Sequence, residues 1–278
     1  MTETCRILKL QRSKYYRHQH TLHLVRQKPS SPDPGEGQLL EKIRTLAGEH
    51  PFWGYRRITA YLRHKCGLRV NRKRVRRLMR LHGLMVPVKR YKAKRVETRA
   101  KPKASRPNQW WGTDMTKFYV QGLGWLHLVV VLDWYTKRAL GHSLSLRSKA
   151  EDWLVALHQA VAVACPSGSR AYNINLMSDN GSQPTSTKYE QVLETLGITH
   201  ITTSYNNPKG NADTERFMRT FKEEAVWPNE FQSFEDALAA VKVFFRFYNE
   251  DYPHSTLDGR SPLDFEYSLN QTPQQVAA

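Results

Sequence analysis

Trp111-Gly-Thr-Asp-Met-Thr-Lys-Phe-Tyr-Val120 is followed by Gln-Gly-Leu-Gly (121–124) and then by an apolar run over 126–132. Two β-rich segments flanking a glycine-rich turn predict an antiparallel hairpin, with strands over 113–120 and 126–132. Residues 139–146 can add a third strand. Working outward, the pattern predicts a helix over 149–164, a buried strand over 174–177 and a helix over 186–196. A short strand at 200–202 follows, then helices over 211–225 and 233–249. Three antiparallel strands, then helix, strand, helix, strand and helices, predict an α/β fold built on a mixed five-stranded sheet. That order matches a ribonuclease-H-like core.

Three acids in this frame carry the chemistry. Asp114 is the only charge in its strand before Lys117. A buried carboxylate is costly unless a cation or hydrogen-bond donors face it. The plain alternative is a structural Asp bonded to nearby hydroxyls. Asp179 ends the 174–177 strand in Ser178-Asp-Asn-Gly-Ser182. Asp-Asn-Gly can be a simple turn, but the C-terminal end of a strand is where α/β sites sit. Glu215 lies in Asn211-Ala-Asp-Thr-Glu-Arg-Phe-Met-Arg-Thr-Phe-Lys222, with 35 residues between it and Asp179. On a helix, Arg219 at i+4 and Lys222 at i+7 share its side, although a helical Glu is equally at home on a solvated face. Asp133 is the rival ligand. Centring the hairpin on 121–124 pairs Asp114 with about Leu132 and turns Asp133 to the opposite face; a one-residue slip would reverse this. Hard oxygen ligands from three separate elements suit a pair of Mg²⁺ ions and phosphoryl transfer on nucleic acid. Serine chemistry at Ser178, Ser182 or Ser204 is not expected, because no Gly-x-Ser-x-Gly elbow exists and no His is placed to partner one. His254, in Tyr252-Pro-His-Ser, is expected to pack or cap.

The charge supports a nucleic-acid substrate. The net charge is +18, but residues 1–103 hold 28 basic and 6 acidic residues, whereas 104–278 hold 15 and 19. A basic module joined to a carboxylate site reads as a DNA holder beside a DNA cutter. A 278-residue chain suggests about two domains, and 11% aromatic residues argue against wholesale disorder. Cys5, Cys66 and Cys165 are odd in number and far apart, so neither a disulfide framework nor a zinc site is expected. With no membrane-length apolar run and no signal peptide, the expected place is the bacterial cytoplasm, at the nucleoid.

The expected organisation has four parts. Residues 1–37 form a short helical fragment and a Pro/Gly linker. Residues 38–85 form a small all-α, helix-turn-helix-like DNA-binding domain. Leu39, Leu40, Ile43 and Leu46 line its first helix, and Ile58, Tyr61 and Leu62 its second. Asn71 caps a third helix ended by Gly83. Val75, Leu78, Met79 and His82 share one face of that helix, while Arg72, Lys73, Arg76, Arg77 and Arg80 spread over the rest, ready for DNA. Phosphate contacts alone would account for this charge. Residues 86–107 are a basic linker that can track phosphates, and 108–278 hold the catalytic core with C-terminal helices.

These residues resemble the transposases of the retroviral-integrase superfamily, and most specifically the OrfB type of insertion-sequence family three. Cys5-Arg-Ile-Leu and Ser13-Lys-Tyr-Tyr-Arg17 resemble the start of that group's second reading frame. Tyr55-Arg-Arg-Ile, Asn71-Arg-Lys-Arg-Val and Leu81-His-Gly-Leu resemble its helix-turn-helix. The segments around Asp114, Asp179 and Glu215 resemble its three catalytic motifs, and Tyr248-Asn-Glu, Pro253-His-Ser and Arg260-Ser-Pro its C-terminal signature. The resemblance implies that Asp114, Asp179 and Glu215 bind two Mg²⁺ or Mn²⁺, and that Lys222 contacts phosphate. It implies an enzyme that exposes 3′-hydroxyls at element ends and joins them to another phosphodiester. It implies double-stranded DNA as partner, a homo-oligomer on that DNA, and an upstream-frame product joined by frameshifting. Two departures stand out: Pro184 where an aromatic is frequent, and Asp213-Thr214 in place of a small apolar pair. A transposase-derived DNA-binding regulator that has lost catalysis, and a two-metal nuclease that does not join, are the other readings.

Overall fold

The computed structural model describes residues 35–87, 102–203 and 210–271. The expected N-terminal fragment, most of the basic linker and Ser204 lie outside the described residues. The chain divides into two compact units, Met1–Leu46 and Ala47–Ala278. Helix α1 (Glu36–Glu49) buries Leu39, Ile43 and Leu46 of the stripe read from the sequence and leaves Leu40 half-buried.

Within the second unit, α2 (Tyr55–His64) and α3 (Arg72–Leu81) pack on each other. They bury Ile58 and Leu62 from one side and Val75, Leu78 and Met79 from the other. Asn71 caps α3 as expected, its side chain accepting from the Lys73 N–H at 2.8 Å. His82 does not join the apolar face. It is the exposed C-cap residue, because α3 has already unwound there. Tyr61 is half-buried, its ring tilted against Trp53.

The sheet has the order β3-β2-β1-β4-β5. Strands β1 (Trp110–Val120), β2 (Gly124–Asp133) and β3 (Ala139–Ser145) form an antiparallel meander. β4 (Asn175–Ser178) pairs parallel to β1, and β5 (Thr199–Thr202) pairs parallel to β4. Three antiparallel strands plus two parallel ones reached through helices give the ribonuclease-H-like order. Helix α4 (Ala150–Ala164) connects β3 to the region before β4, and α5 (Thr187–Leu196) connects β4 to β5. Helix α6 (Ala212–Phe221) continues into a π-turn at Lys222–Val226; α7 (Phe234–Glu250) and α8 (Pro262–Gln271) end the described chain.

Strand alternation sorts the side chains between two layers. On one face Trp111, Val129 and Val131 meet Trp153, Leu157 and Ala160 of α4 and Tyr189 and Leu193 of α5. On the other, Phe118 meets Phe221 edge-on at 5.7 Å and Phe231 at 5.5 Å. Phe217 packs against Phe244, Phe245 and Tyr248 of α7. Each such ring buries enough apolar surface to contribute about 2–3 kcal/mol. Asp114 is an even-numbered β1 residue, so it belongs to the face covered by α6 and α7. That placement is what makes a site possible.

Candidate active site

Asp114 pairs with Val130, two residues from the expected Leu132, because β2 starts at Gly124 directly opposite Val120. A shift of two preserves the face, so the separation of Asp114 from Asp133 holds. Asp133 pairs with Trp111 and points the other way. There it is a buried turn-former: its carboxylate accepts from the N–H groups of Asn108 (2.6 Å), Tyr135 (2.6 Å) and Thr136 (2.9 Å). Three amide donors occupy that charge, and it takes no part in the site.

Helix α6 carries Glu215 to Asp114 through a close approach to β1. Asn211, just before the helix, donates from Nδ2 to the Thr113 carbonyl at 3.0 Å. Gly112 makes the approach possible. A Cβ there would fall 2.1 Å from Thr214 Oγ1 and 2.3 Å from Trp134 Nε1. The two departures before Glu215 fit this junction. The buried Thr214 hydroxyl accepts from Trp134 Nε1 at 3.2 Å, and Asp213 pairs with Lys137 at 3.1 Å. A small apolar pair could do neither.

Asp179 follows β4 directly. Its Oδ1 accepts from the Gly181 N–H at 3.1 Å, so the Asp-Asn-Gly turn and the candidate ligand are one structure. Beneath it lies a hydrogen-bonded chain. His200 Nδ1–H donates to Glu190 Oε1 at 2.6 Å, and its Nε2 shares a 2.8 Å bond with Ser178 Oγ. Ser178 Oγ in turn donates to the Asp179 carbonyl at 2.7 Å. A histidine does therefore partner Ser178, contrary to the sequence-based expectation; β4–β5 pairing brings it across 22 residues. Ser178 is fully buried and cannot meet a substrate. The chain braces Asp179 and does no serine chemistry.

The three carboxylates share one electrostatic neighbourhood. Burial, and then the charges of Asp179 and Glu215, push the Asp114 carboxyl up to about 6, against the opposing pull of the Met115 N–H and Lys222. Among the described residues none of the three forms a salt bridge, and no three acidic, His or Cys side chains already enclose a point as a metal site. Asp114, Met115, Thr116, Glu215, Met218, Arg219, Lys222 and Trp227 line an open cleft of about 490 Å³. Lys222 opens the π-turn, half-buried, on the cleft wall. Arg219 also lines it, and its exposed guanidinium pairs with the buried Glu223 at 2.8 Å. Arg72, Lys73, Arg76, Arg77 and Arg80 lie elsewhere, exposed on α3. The Arg76 guanidinium stands 5.4 Å over the Tyr55 ring. His254 packs, as expected. It is half-buried between Tyr248 and Tyr252, and desolvation of the ring holds its imidazole down to about 3.

The chain is similar to known proteins over both its helical segment and its sheet-bearing segment. A family model described as an HTH-like domain matches residues 36–92, and two described as integrase core domains match 104–208 and 196–262. The transposase for insertion sequence element IS904 of Lactococcus lactis subsp. lactis (strain IL1403) is 32% identical over 255 residues, covering 87% of this chain and 98% of that protein. The chain belongs to the insertion-sequence transposases. The putative transposase InsK for IS150 of Escherichia coli (strain K12) is 31% identical over 283 residues, covering 98% of this transposase and 94% of that one. Among solved structures, the HTLV-2 integrase catalytic core in complex with magnesium is similar at a TM-score of 0.44 and 15% identity, covering 59% of this transposase and 99% of that chain. Function follows from the family: this is a DDE transposase of DNA transposition, and its integrase-type core is a polynucleotidyl transferase acting on DNA. Among the described residues no helix is long and apolar enough to cross a membrane.

Four contributors escaped the sequence reading: Gly112, Asn211, His200 and Trp227. Each acts through a partner distant in the chain. The one local signal was Gly112 itself, a glycine beside a strand Asp, which marks close backbone approach.

Proposed function

We propose that Asp114, Asp179 and Glu215 are the catalytic carboxylates and hold two Mg²⁺ or Mn²⁺ ions for cleavage and strand transfer of insertion-sequence DNA. One observation carries this reading: Asp114, Glu215 and Lys222 line one open cleft, and the Asp179 charge acts on Asp114 beside it. A structural carboxylate in such a place would gather donors, as Asp133 does. This trio instead accumulates like charge, offset by Lys222 and by one backbone amide each at Asp114 and Asp179. The donor set is all hard oxygen, which fits a divalent cation. Asp114 and Asp179 each give one oxygen to a backbone amide, which fixes the carboxylate and keeps its second oxygen for an ion.

When bound, the metal pair supplies charge neutralisation at the attacking and leaving oxygens of an in-line displacement. The chain's own residues do the positioning. Lys222, and Arg219 beside it, hold the phosphodiester backbone over the carboxylates, a point charge and a planar fork serving different phosphates. Arg72, Lys73, Arg76, Arg77 and Arg80, within the 38–85 domain, grip the duplex, with the basic linker following its phosphates. Water attacks the scissile phosphorus and expels the 3′-oxygen, leaving a 3′-hydroxyl and a 5′-phosphate. That 3′-hydroxyl then attacks the phosphorus of a second phosphodiester and expels its 3′-oxygen, so one P–O bond forms for each one broken. We further infer that the enzyme works in the bacterial cytoplasm at the nucleoid, as a homo-oligomer on DNA, joined by frameshifting to an upstream product.

The test is a strand-transfer assay with Mg²⁺ and the element's own ends. Asp114→Asn, Asp179→Asn and Glu215→Gln should each lose both cleavage and joining while binding DNA normally. A variant that keeps the wild-type rate removes its residue from the ligand set. Cleavage without joined product would leave a nuclease.

A further inference from the structure

One wall of the cleft is aromatic, and the carboxylates and cations make no use of it. Trp227 lines the same cleft as Asp114, Glu215 and Lys222, yet it is 56% exposed. Isolated exposed aromatics need no explanation. Trp125 and Tyr119 at the hairpin tip are such residues, resting on each other at 5.6 Å. Trp227 differs in how much structure is committed to presenting it.

First, a π-turn aims it. Residues Lys222–Val226 run as a π-helix, closed by the Trp227 N–H donating to the Lys222 carbonyl at 2.9 Å. One extra residue in a helical turn rotates everything beyond it by about 100°. Regular continuation of α6 would carry the indole away from the cleft.

Second, buried carboxylates hold the π-turn. Glu224 accepts from Trp53 Nε1 at 2.7 Å and bonds His50 Nδ1 at 2.8 Å, with its side chain 5% exposed. Glu223 is buried beside Arg219. Desolvating two adjacent carboxylates is expensive, so this turn is built rather than tolerated.

Third, the same brace delivers a second ring. His50 and Trp53 flank Phe52, whose ring lies 5.6 Å from Trp227 at an interplanar angle of 59°. A tilted contact buttresses the indole without covering it as a parallel stack would. The result is an open π-face beside two phosphate-binding cations, at the rim of a site built for DNA strands.

We propose that Trp227, backed by Phe52, is a stacking platform for one unpaired nucleobase next to the scissile phosphate. The proposal rests on the reading of the cleft as the DNA-cutting site and adds a base-binding subsite to it. An unpaired nucleobase beside a phosphate held in this cleft would lie at the rim where the indole is exposed. A base swung out of the stack needs a flat apolar surface, and an indole supplies one for any base.

The experiment uses the full chain and duplexes of the element's ends, with 5-iododeoxyuridine substituted in turn at each position around the cleavage point. Irradiation should crosslink one position to a peptide containing Trp227, identified by mass spectrometry. Trp227→Ala should lose that crosslink and lower strand transfer by about tenfold or more, in keeping with base–aromatic stacking. Trp227→Phe should retain most of the rate. An abasic nucleotide at the crosslinked position should make wild type and Trp227→Ala equal. The indole is mostly exposed, so the alanine variant should melt with wild type. No crosslink to Trp227 at any position in a protein that binds the DNA overturns the proposal, as does an unchanged rate in Trp227→Ala. A protein that crosslinks through Trp227 but never cuts or joins rejects the catalytic reading and keeps the platform. One that cuts and joins without the crosslink does the reverse.

Discussion

Asp114 and Asp133 show how one residue type takes opposite roles three rungs apart on paired strands. Both are Asp on adjacent strands, removed from most of the solvent. Asp133 is surrounded by amide donors; Asp114 faces two other acids. The consequence is measurable in metal-free protein. The Asp114 carboxyl is raised from 3.8 to about 6, so the fold favours its protonated form. Its contribution to stability is therefore complete below pH 3.8 and is lost as the pH rises through 6. Above that, the ionised group costs about 3 kcal/mol. Asp114→Asn should then be more stable than wild type at pH 7 in EDTA, by up to roughly that amount, and little different at pH 4. His142 and His254, held down to about 4 and about 3 by burial, weaken both proteins equally in acid and cancel from the comparison. Calorimetry across pH 4–7 is the measurement. Equal melting temperatures at pH 7 would contradict the burial and the neighbouring charges that raise this carboxyl.

Among elements, β4 and β5 are short, four residues each, and β5 ends beside residues 204–209, outside the described part. Short parallel strands have few ladder hydrogen bonds to hold Asp179, a proposed ligand, in register. The Glu190–His200–Ser178 chain adds the missing constraint by tying α5, β5 and β4 to the Asp179 backbone. His200 is thus a positioning residue. His200→Ala should lower the rate of strand transfer by about ten- to a hundredfold and raise the Mg²⁺ concentration needed for half-maximal rate, as loss of an outer partner does at metal sites. His200→Asn, which can still bond Ser178, should recover part of both. A loss of rate with unchanged Mg²⁺ dependence would point to general loosening and reject the positioning role.

For the whole molecule, the C-terminal signature proves to be a mount. Trp53, Arg57, Phe247 and Tyr252 interlock, with the Arg57 guanidinium 4.7 Å over the Tyr252 ring. Lys65 bridges Asp251 and Asp264. Gly259, at φ +82°, meets Ala60 of α2 so closely that a Cβ would fall 2.7 Å from the Ala60 methyl. The described segment after Ala47 that carries α2 and α3 is therefore seated on the core's own C-terminal helices. Cutting it away would expose that aromatic face, so its DNA contribution is best tested by charge. Replacing Arg72, Lys73, Arg76, Arg77 and Arg80 with Gln should weaken DNA binding and flatten its dependence on log salt by about 0.9 for each phosphate no longer neutralised. Melting temperature should hold, since all five are exposed. An unchanged salt slope would move the DNA grip elsewhere. The sequence by itself determined the strands, the face of Asp114 and the helices other than α8, because these depend on periods of two and 3.6 read over a few neighbours. It also carried the acids at motif spacing and the basic segment 1–103, because composition and order need no coordinates. Tertiary structure alone decided that Gly112 admits α6, that His200 braces Asp179, that α6 widens into a π-turn, and that Tyr252 seats α2. Each of these joins or depends on residues tens to hundreds of positions apart, and such contacts exist only once the sheet has stacked its layers and burial has made an unpartnered polar group or a misplaced methyl costly.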